Sequence, residues 1–278
     1  MLDYDLEKII KSRKSIRSYI EKPLSKKDKD LINSWIDEID FDNSIFNKKF
    51  NVKLLEVGID AKNLGTYGVI KGAQNFLCIT AKKEEGVMES IGFNFEKIIL
   101  NSTANDLGTV WLAGTFKREQ FKNLLDVKED EIFPIVCPIG YASEKRNLKN
   151  NFFRKIAKSD KRKDFNEILF KEDFNTPLDI NKIEEYKFPL EMFRLAPSSA
   201  NRQLWKIIYK DNCFHFYRII NSKNNDGLEI ERLDIGIALC HFDLAIKEKN
   251  LSGEFVKIDF IKTNNDKNLK YIISYKIK

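Results

Sequence analysis

Apolar positions along the chain change rhythm several times, and the order of those changes repeats. Leu6, Ile9 and Ile10 fall at helical spacing and predict a first helix ending near Ser12. Ser25 is a capping residue ahead of a second helix whose Leu31, Ile32, Trp35, Ile36 and Ile39 share one face. Strands are predicted at 52–57 and 76–80. A long helix follows from about Met88 to Asp106, closed by Leu107-Gly108. Two more strands fall at 109–113 and 132–139, with a short helix around 120–125 between them.

The order strand, strand, long helix, strand, strand returns at 204–210, 213–219, 228–250, 253–260 and 269–277. Gly92 lies 16 positions before Gly108, and Gly236 lies 16 before Ser252. In that register Leu100 and Leu107 fall on Leu244 and Leu251. Chance likeness of two amphipathic helices would explain the residue matches alone; the matching strand order argues for an internal duplication. Segment 143–163, rich in Lys, Arg and Asn and without periodicity, reads as a surface connection. The expected organisation is α+β, with two tandem pseudo-symmetric halves, 1–163 and 164–278, each a mainly antiparallel sheet flanked by helices.

Composition narrows the function classes. With 278 residues and 42% hydrophobic content the chain can build a substantial core. Its net charge of +6, with both signs interspersed, permits nucleic-acid binding without indicating it, and a small anion is the better-suited basic target. Cys78, Cys137, Cys213 and Cys240 are scattered, with no spacing of a zinc site, and read as small buried hydrophobes in a reducing compartment. His215 and His241 are the only histidines, so no metal site is indicated. The N-terminal segment lacks the apolar stretch of a secretory signal, and no apolar run reaches membrane-spanning length. A cytoplasmic protein without membrane or nucleic-acid partners is expected.

Two separated segments carry candidate chemistry. Arg13, Lys14 and Arg17 lie within five residues, with Ser15 among them. Guanidinium forks and an ammonium suit phosphate, although such a cluster is also an ordinary solvated face. In the second segment, Pro197 cannot continue a helix and pushes Ala196 toward an extended conformation. Ser198, Ser199, Asn201 and Gln203 then offer hydroxyls and amides before Trp205 opens a buried strand. An ordinary helix-to-strand turn would read the same way.

Together these residues resemble the FMN-dependent nitroreductases. Arg13-Lys14-Ser15-Ile16-Arg17 matches that family's R-[RK]-S-x-R cluster, and Ala196 to Trp205 matches A-P-S-[SA]-x-N-x-Q-x-W at each stated position. In that family the two segments come from different subunits of an interwoven homodimer. The resemblance therefore implies a nitroreductase-like fold with both subunits fused in one chain, a pseudo-dimeric monomer.

The first half has Asp37 to Ser44 where its own Pro-Ser-Ser segment would stand. The second has Phe170-Lys171-Glu172-Asp173-Phe174-Asn175 in place of a basic cluster. One FMN per chain follows. Gly108 to Gly114, with Trp111, Leu112 and Gly114, resembles the family's loop over the flavin ring, whereas the second half reads Ser252 to Val256 without tryptophan. Gly140-Tyr141 resembles the end of a core strand, and Gly65-Thr66-Tyr67-Gly68 is either a second ring-contacting loop or a plain turn.

The resemblance further implies that Arg13, with Arg162 or Lys163, anchors the FMN phosphate. Arg162 and Lys163 also read as ordinary linker charges. Ser15, Ser198, Ser199 and Asn201 would bond the ribityl chain or pyrimidine edge, with Lys14 or Arg17 near the pyrimidine carbonyls. The implied function is ping-pong transfer of electrons from NAD(P)H to a nitroaromatic, quinone or related small acceptor. A non-catalytic FMN carrier or redox sensor is the alternative, and a nucleic-acid-binding protein using segment 143–163 is a third possibility.

Overall fold

The computed structural model describes residues 5–58, 65–143, 161–220, 229–258 and 268–278. The chain divides into two compact units, Met1–Ile156 and Ala157–Lys278.

In the first unit, helix α1 (Leu6–Ser12) buries Leu6, Ile9 and Ile10 and ends where the periodicity predicts. Helix α2 (Lys26–Asp37) begins at the expected cap, the Ser25 side chain accepting from the Asp28 amide, although only Ile32 of its apolar face is fully buried. The sheet contains β1 (Asn51–Glu56), β2 (Asn75–Lys82), β3 (Leu107–Thr109) and β4 (Glu131–Tyr141), all antiparallel in the order β1-β2-β4-β3. Helix α3 (Val87–Ala104) joins β2 to β3 and is buried on nearly all faces, with polar Glu89, Ser90, Asn94, Glu96 and Ser102 buried among its apolar residues. Helix α4 (Arg118–Lys122) packs Phe121 edge-on against Phe76 and Phe116.

Two sequence expectations need correction here. Helix α3 stops at Asn105-Asp106, where Asp106 takes φ 56°, and Leu107-Gly108 opens β3 instead of closing the helix. Strand β3 also covers only three residues of register, because the chain leaves the ladder after Thr109 and returns in a lone bridge from Leu112 to Val136.

In the second unit, β6 (Trp205–Lys210), β7 (Cys213–Ile219), α7 (Ile230–Glu248), β8 (Gly253–Val256) and β9 (Leu269–Ile277) follow the predicted order. The expected ends of the long helix at 228 and of its following strand at 259–260 lie outside the described residues, as does most of segment 143–163. Unpredicted elements precede them. These are α5 (Phe165–Ile168), β5 (Leu169–Lys171), a 3-10 helix (Ile180–Tyr186) and α6 (Lys187–Leu195). The sheet order is β5-β6-β7-β9-β8, with β5 parallel to β6 and every other pair antiparallel. Its core packs Phe193 edge-on against Trp205 and tilted against Phe216, and Phe242 edge-on against Phe214, Phe216 and Tyr275. Arg218 on β7, 1% exposed, pairs with Glu229 and with buried Glu231 at the start of α7.

All four cysteines are buried and unbridged, as the sequence predicts. Burial raises the thiol pKa of Cys78, Cys137 and Cys213, keeping them protonated. No described helix is long and apolar enough to cross a membrane.

Candidate functional site

In the first unit the basic segment leaves α1 and runs extended across the sheet ends. Arg13 closes the helix, its backbone N–H donating to Ile9 O at 2.9 Å. Ile16 N then donates to Thr109 O at 2.9 Å, Lys71 N to Arg17 O at 2.9 Å, Tyr19 N to Lys71 O at 2.8 Å and Ile20 N to Tyr141 O at 2.9 Å. Glycine permits this approach at two points. A Cβ on Gly108 would lie 2.8 Å from the Ile16 side chain, and one on Gly72, at φ 75°, would collide with Tyr19 O. Buried Tyr19 also donates its hydroxyl to Ile16 O at 2.7 Å. Arg13, Lys14, Ser15 and Arg17 therefore stand on a backbone fixed to the sheet, with Lys14 and Ser15 exposed.

Burial lowers the Arg13 pKa, and the negative charge of Glu96 opposes that shift. Glu96, fully buried on α3, also accepts from Trp111 Nε1 at 3.0 Å, and the indole stands edge-on to Phe95. One carboxylate thus orients the tryptophan and offsets the charge of Arg13. Leu112 is committed to the core by its buried side chain and by two backbone bonds to Val136. Gly114 is exposed, with open space where a Cβ would sit. Thr66 to Val69 forms a hydrogen-bonded turn, with Tyr67 on the surface.

In the second unit α6 ends as Pro197 requires, with Ala196 extended at ψ 142°. The following loop is strained, since Ala200, Asn201 and Gln203 have φ of 51°, 54° and 50°. Each non-glycine residue in that region costs about 1 kcal/mol or more, so the surroundings must hold it there.

Segment 161–163 supplies one set of fastenings. Arg162 donates from Nε and Nη2 to Leu195 O at 3.2 and 3.1 Å, capping α6, and from Nη1 to Asn201 Oδ1 at 3.1 Å. Asn201 Nδ2 donates to Lys161 O at 2.8 Å. Lys163 donates its amide to Gln203 Oε1 at 2.8 Å and its ammonium to Gln203 O at 3.0 Å. Within the loop, Gln203 N donates to Ser198 Oγ at 2.9 Å. Arg162 and Lys163, the residues expected as phosphate anchors, also brace this loop.

Some contributing residues were missed by sequence reasoning: Glu96 and Asp234, buried carboxylates on the long helices, and Lys161. An acid flanked by apolar residues, as in Phe95-Glu96 and Leu233-Asp234-Ile235, is the local signal that could have marked the carboxylates.

Residues 5–246 match the family described as "Putative TM nitroreductase". The chain belongs to that family. As a nitroreductase-family protein it carries the expected fold, two mainly antiparallel sheets with flanking helices. A putative nitroreductase from Thermotoga maritima MSB8 superposes with a TM-score of 0.63 at 20% identity, covering 100% of this chain and 95% of that one. An FMN-dependent nitroreductase from Clostridium difficile R20291 and a putative nitroreductase in complex with FMN from Desulfovibrio desulfuricans each give a TM-score of 0.42 at 18% identity. They cover 53% and 54% of this chain, respectively, and 95% of their own. No curated protein matches.

Proposed function

We propose that this nitroreductase-family chain is an FMN-dependent oxidoreductase that takes electrons from NAD(P)H and delivers them to a small oxidised acceptor such as a nitroaromatic or quinone. The observation carrying this reading is that the two sequence segments it requires are each held rigidly in place, one along the sheet ends and the other in a strained, multiply bonded loop. Their donor chemistry fits the group. Arg13, Lys14 and Arg17 suit a phosphate or an electron-rich pyrimidine edge, and Ser15, Ser198, Ser199 and Asn201 suit polyol hydroxyls.

FMN, when bound, supplies the hydride and single-electron chemistry, and no protein nucleophile is needed. The chain's own residues bind and orient. Arg13 and Arg17 place positive charge, Trp111 is fixed by Glu96 in the segment expected to cover one ring face, and Gly114 leaves backbone exposed beside it. Arg162 and Lys163 act through the loop they brace. Each signature segment occurs once, so one FMN per chain is expected, in a chain that behaves as a pseudo-dimeric monomer.

The test is an anaerobic titration. Protein reconstituted with FMN should bleach on addition of NADH or NADPH and recolour on addition of a quinone or nitroaromatic. Bound FMN that neither nicotinamide reduces would instead identify a carrier or sensor.

A further inference from the structure

We propose that Asp234 is a positioning residue of this site, holding the loop 197–203 in its left-handed conformation from the helix side. Both carboxylate oxygens accept from the Ser199 amide at 3.1 Å. Segment 161–163 fastens the loop elsewhere, through Leu195, Asn201 and Gln203, whereas Asp234 takes the amide between the two adjacent serines.

Asp234 is 4% exposed on α7, among Ile235, Ala238 and Leu233, which are also buried. A carboxylate is costly there, and a group kept at such a cost needs a compensating role. The first unit provides the comparison. In the register that places Gly92 on Gly236, Asp234 falls on Ser90, whose hydroxyl donates to Lys48 O at 2.7 Å. The same helix position thus fastens the loop before the first long strand in both units. A neutral hydroxyl suffices where the loop lacks the Pro-Ser-Ser segment. The carboxylate occurs only where that segment is present and three left-handed residues must be held.

The proposal rests on the flavin reading for what the loop binds, but not for how the loop is held. Hydrogen exchange across 196–204 in FMN-free protein and FMN affinity by fluorescence quenching should be measured for wild type and for Asp234→Ala, Asp234→Ser and Asp234→Asn, with circular dichroism checking the fold. Asp234→Ala should accelerate exchange at Ser199 and weaken FMN binding, each by about tenfold. Asp234→Asn, which keeps an acceptor oxygen, should restore both. Asp234→Ser, shorter but native to the other unit, should behave like the alanine variant and serves if alanine does not fold. Unchanged exchange at Ser199 in a folded alanine or serine variant would overturn the proposal. A wild type that takes up no FMN would overturn the flavin reading instead, and exchange alone would then decide the role of Asp234.

Discussion

The two units build the same frame and differ in what the long helix carries. Orders β1-β2-β4-β3 and β6-β7-β9-β8 are the same path, with β5 added at one edge of the second. In the register of Gly92 on Gly236, Glu96 corresponds to Cys240 and Trp111 to Phe255. The unit that carries the arginine cluster has a buried carboxylate with an indole donor; the other has a thiol and a phenyl ring at those positions. Conversely, Asp234 replaces Ser90 where the serine loop survives. The shared frame is therefore maintained by apolar packing, and two of the buried acids, Glu96 and Asp234, each hold a segment particular to their own unit.

Exchanging those residues is the harshest test. Cys240→Glu buries a carboxylate with no indole to receive, and should destabilise the protein by about 3–5 kcal/mol in chemical denaturation. Glu96→Cys strands the Trp111 Nε1 donor and should cost about 1–3 kcal/mol, part of it recovered in Glu96→Cys with Trp111→Phe. Equal costs for the two exchanges would break the comparison.

Binding should divide just as unevenly. Arg13→Ala or Asn201→Ala should raise the FMN dissociation constant about 10–100-fold, while Lys171→Ala, where the second unit lacks a basic cluster, leaves it within about twofold.

The Asp234 carboxyl gives a pH signature. Burial raises its pKa to about 7, with Glu231 adding to the shift and the Ser199 amide and Arg202 opposing it. The folded state therefore takes up this proton more readily than the unfolded chain. Its contribution to stability is fully present below the unfolded pKa of about 4 and is lost as pH rises to about 7. Thermal unfolding of wild type should show that decline, and Asp234→Asn should lack it and be more stable at pH 7.

The smallest effect is local. Ser25→Ala removes the N-cap of α2 and should cost about 1 kcal/mol, whereas the N-cap position of α6 is Tyr186, which makes no side-chain cap bond and has none to lose.

Much of this frame is legible in the sequence because strand alternation and the long helices are driven by burial, which periodicity reports. The C-terminal end of α1, the cap at Ser25, the break at Pro197 and strands β7 and β9 follow the local pattern closely. What stayed hidden depends on distant partners. Leu169–Lys171 is a strand because β6 lies alongside, and three residues carry no period of their own. Gly108 resembles a helix terminator, yet its role is to make room for Ile16. Arg162 and Lys163 read as linker charges or phosphate ligands, because nothing local to them shows that Leu195, Asn201 and Gln203 are their partners. Glu96 and Asp234 were visible as residues but not as contacts.

The central claim, that this nitroreductase-family chain is a flavoprotein, is tested most directly by reconstituting the purified protein with excess FMN, removing free flavin, and recording the absorbance spectrum against protein concentration. One tightly held FMN per chain is the expected result. Protein that emerges colourless, with no flavin retained, would contradict it.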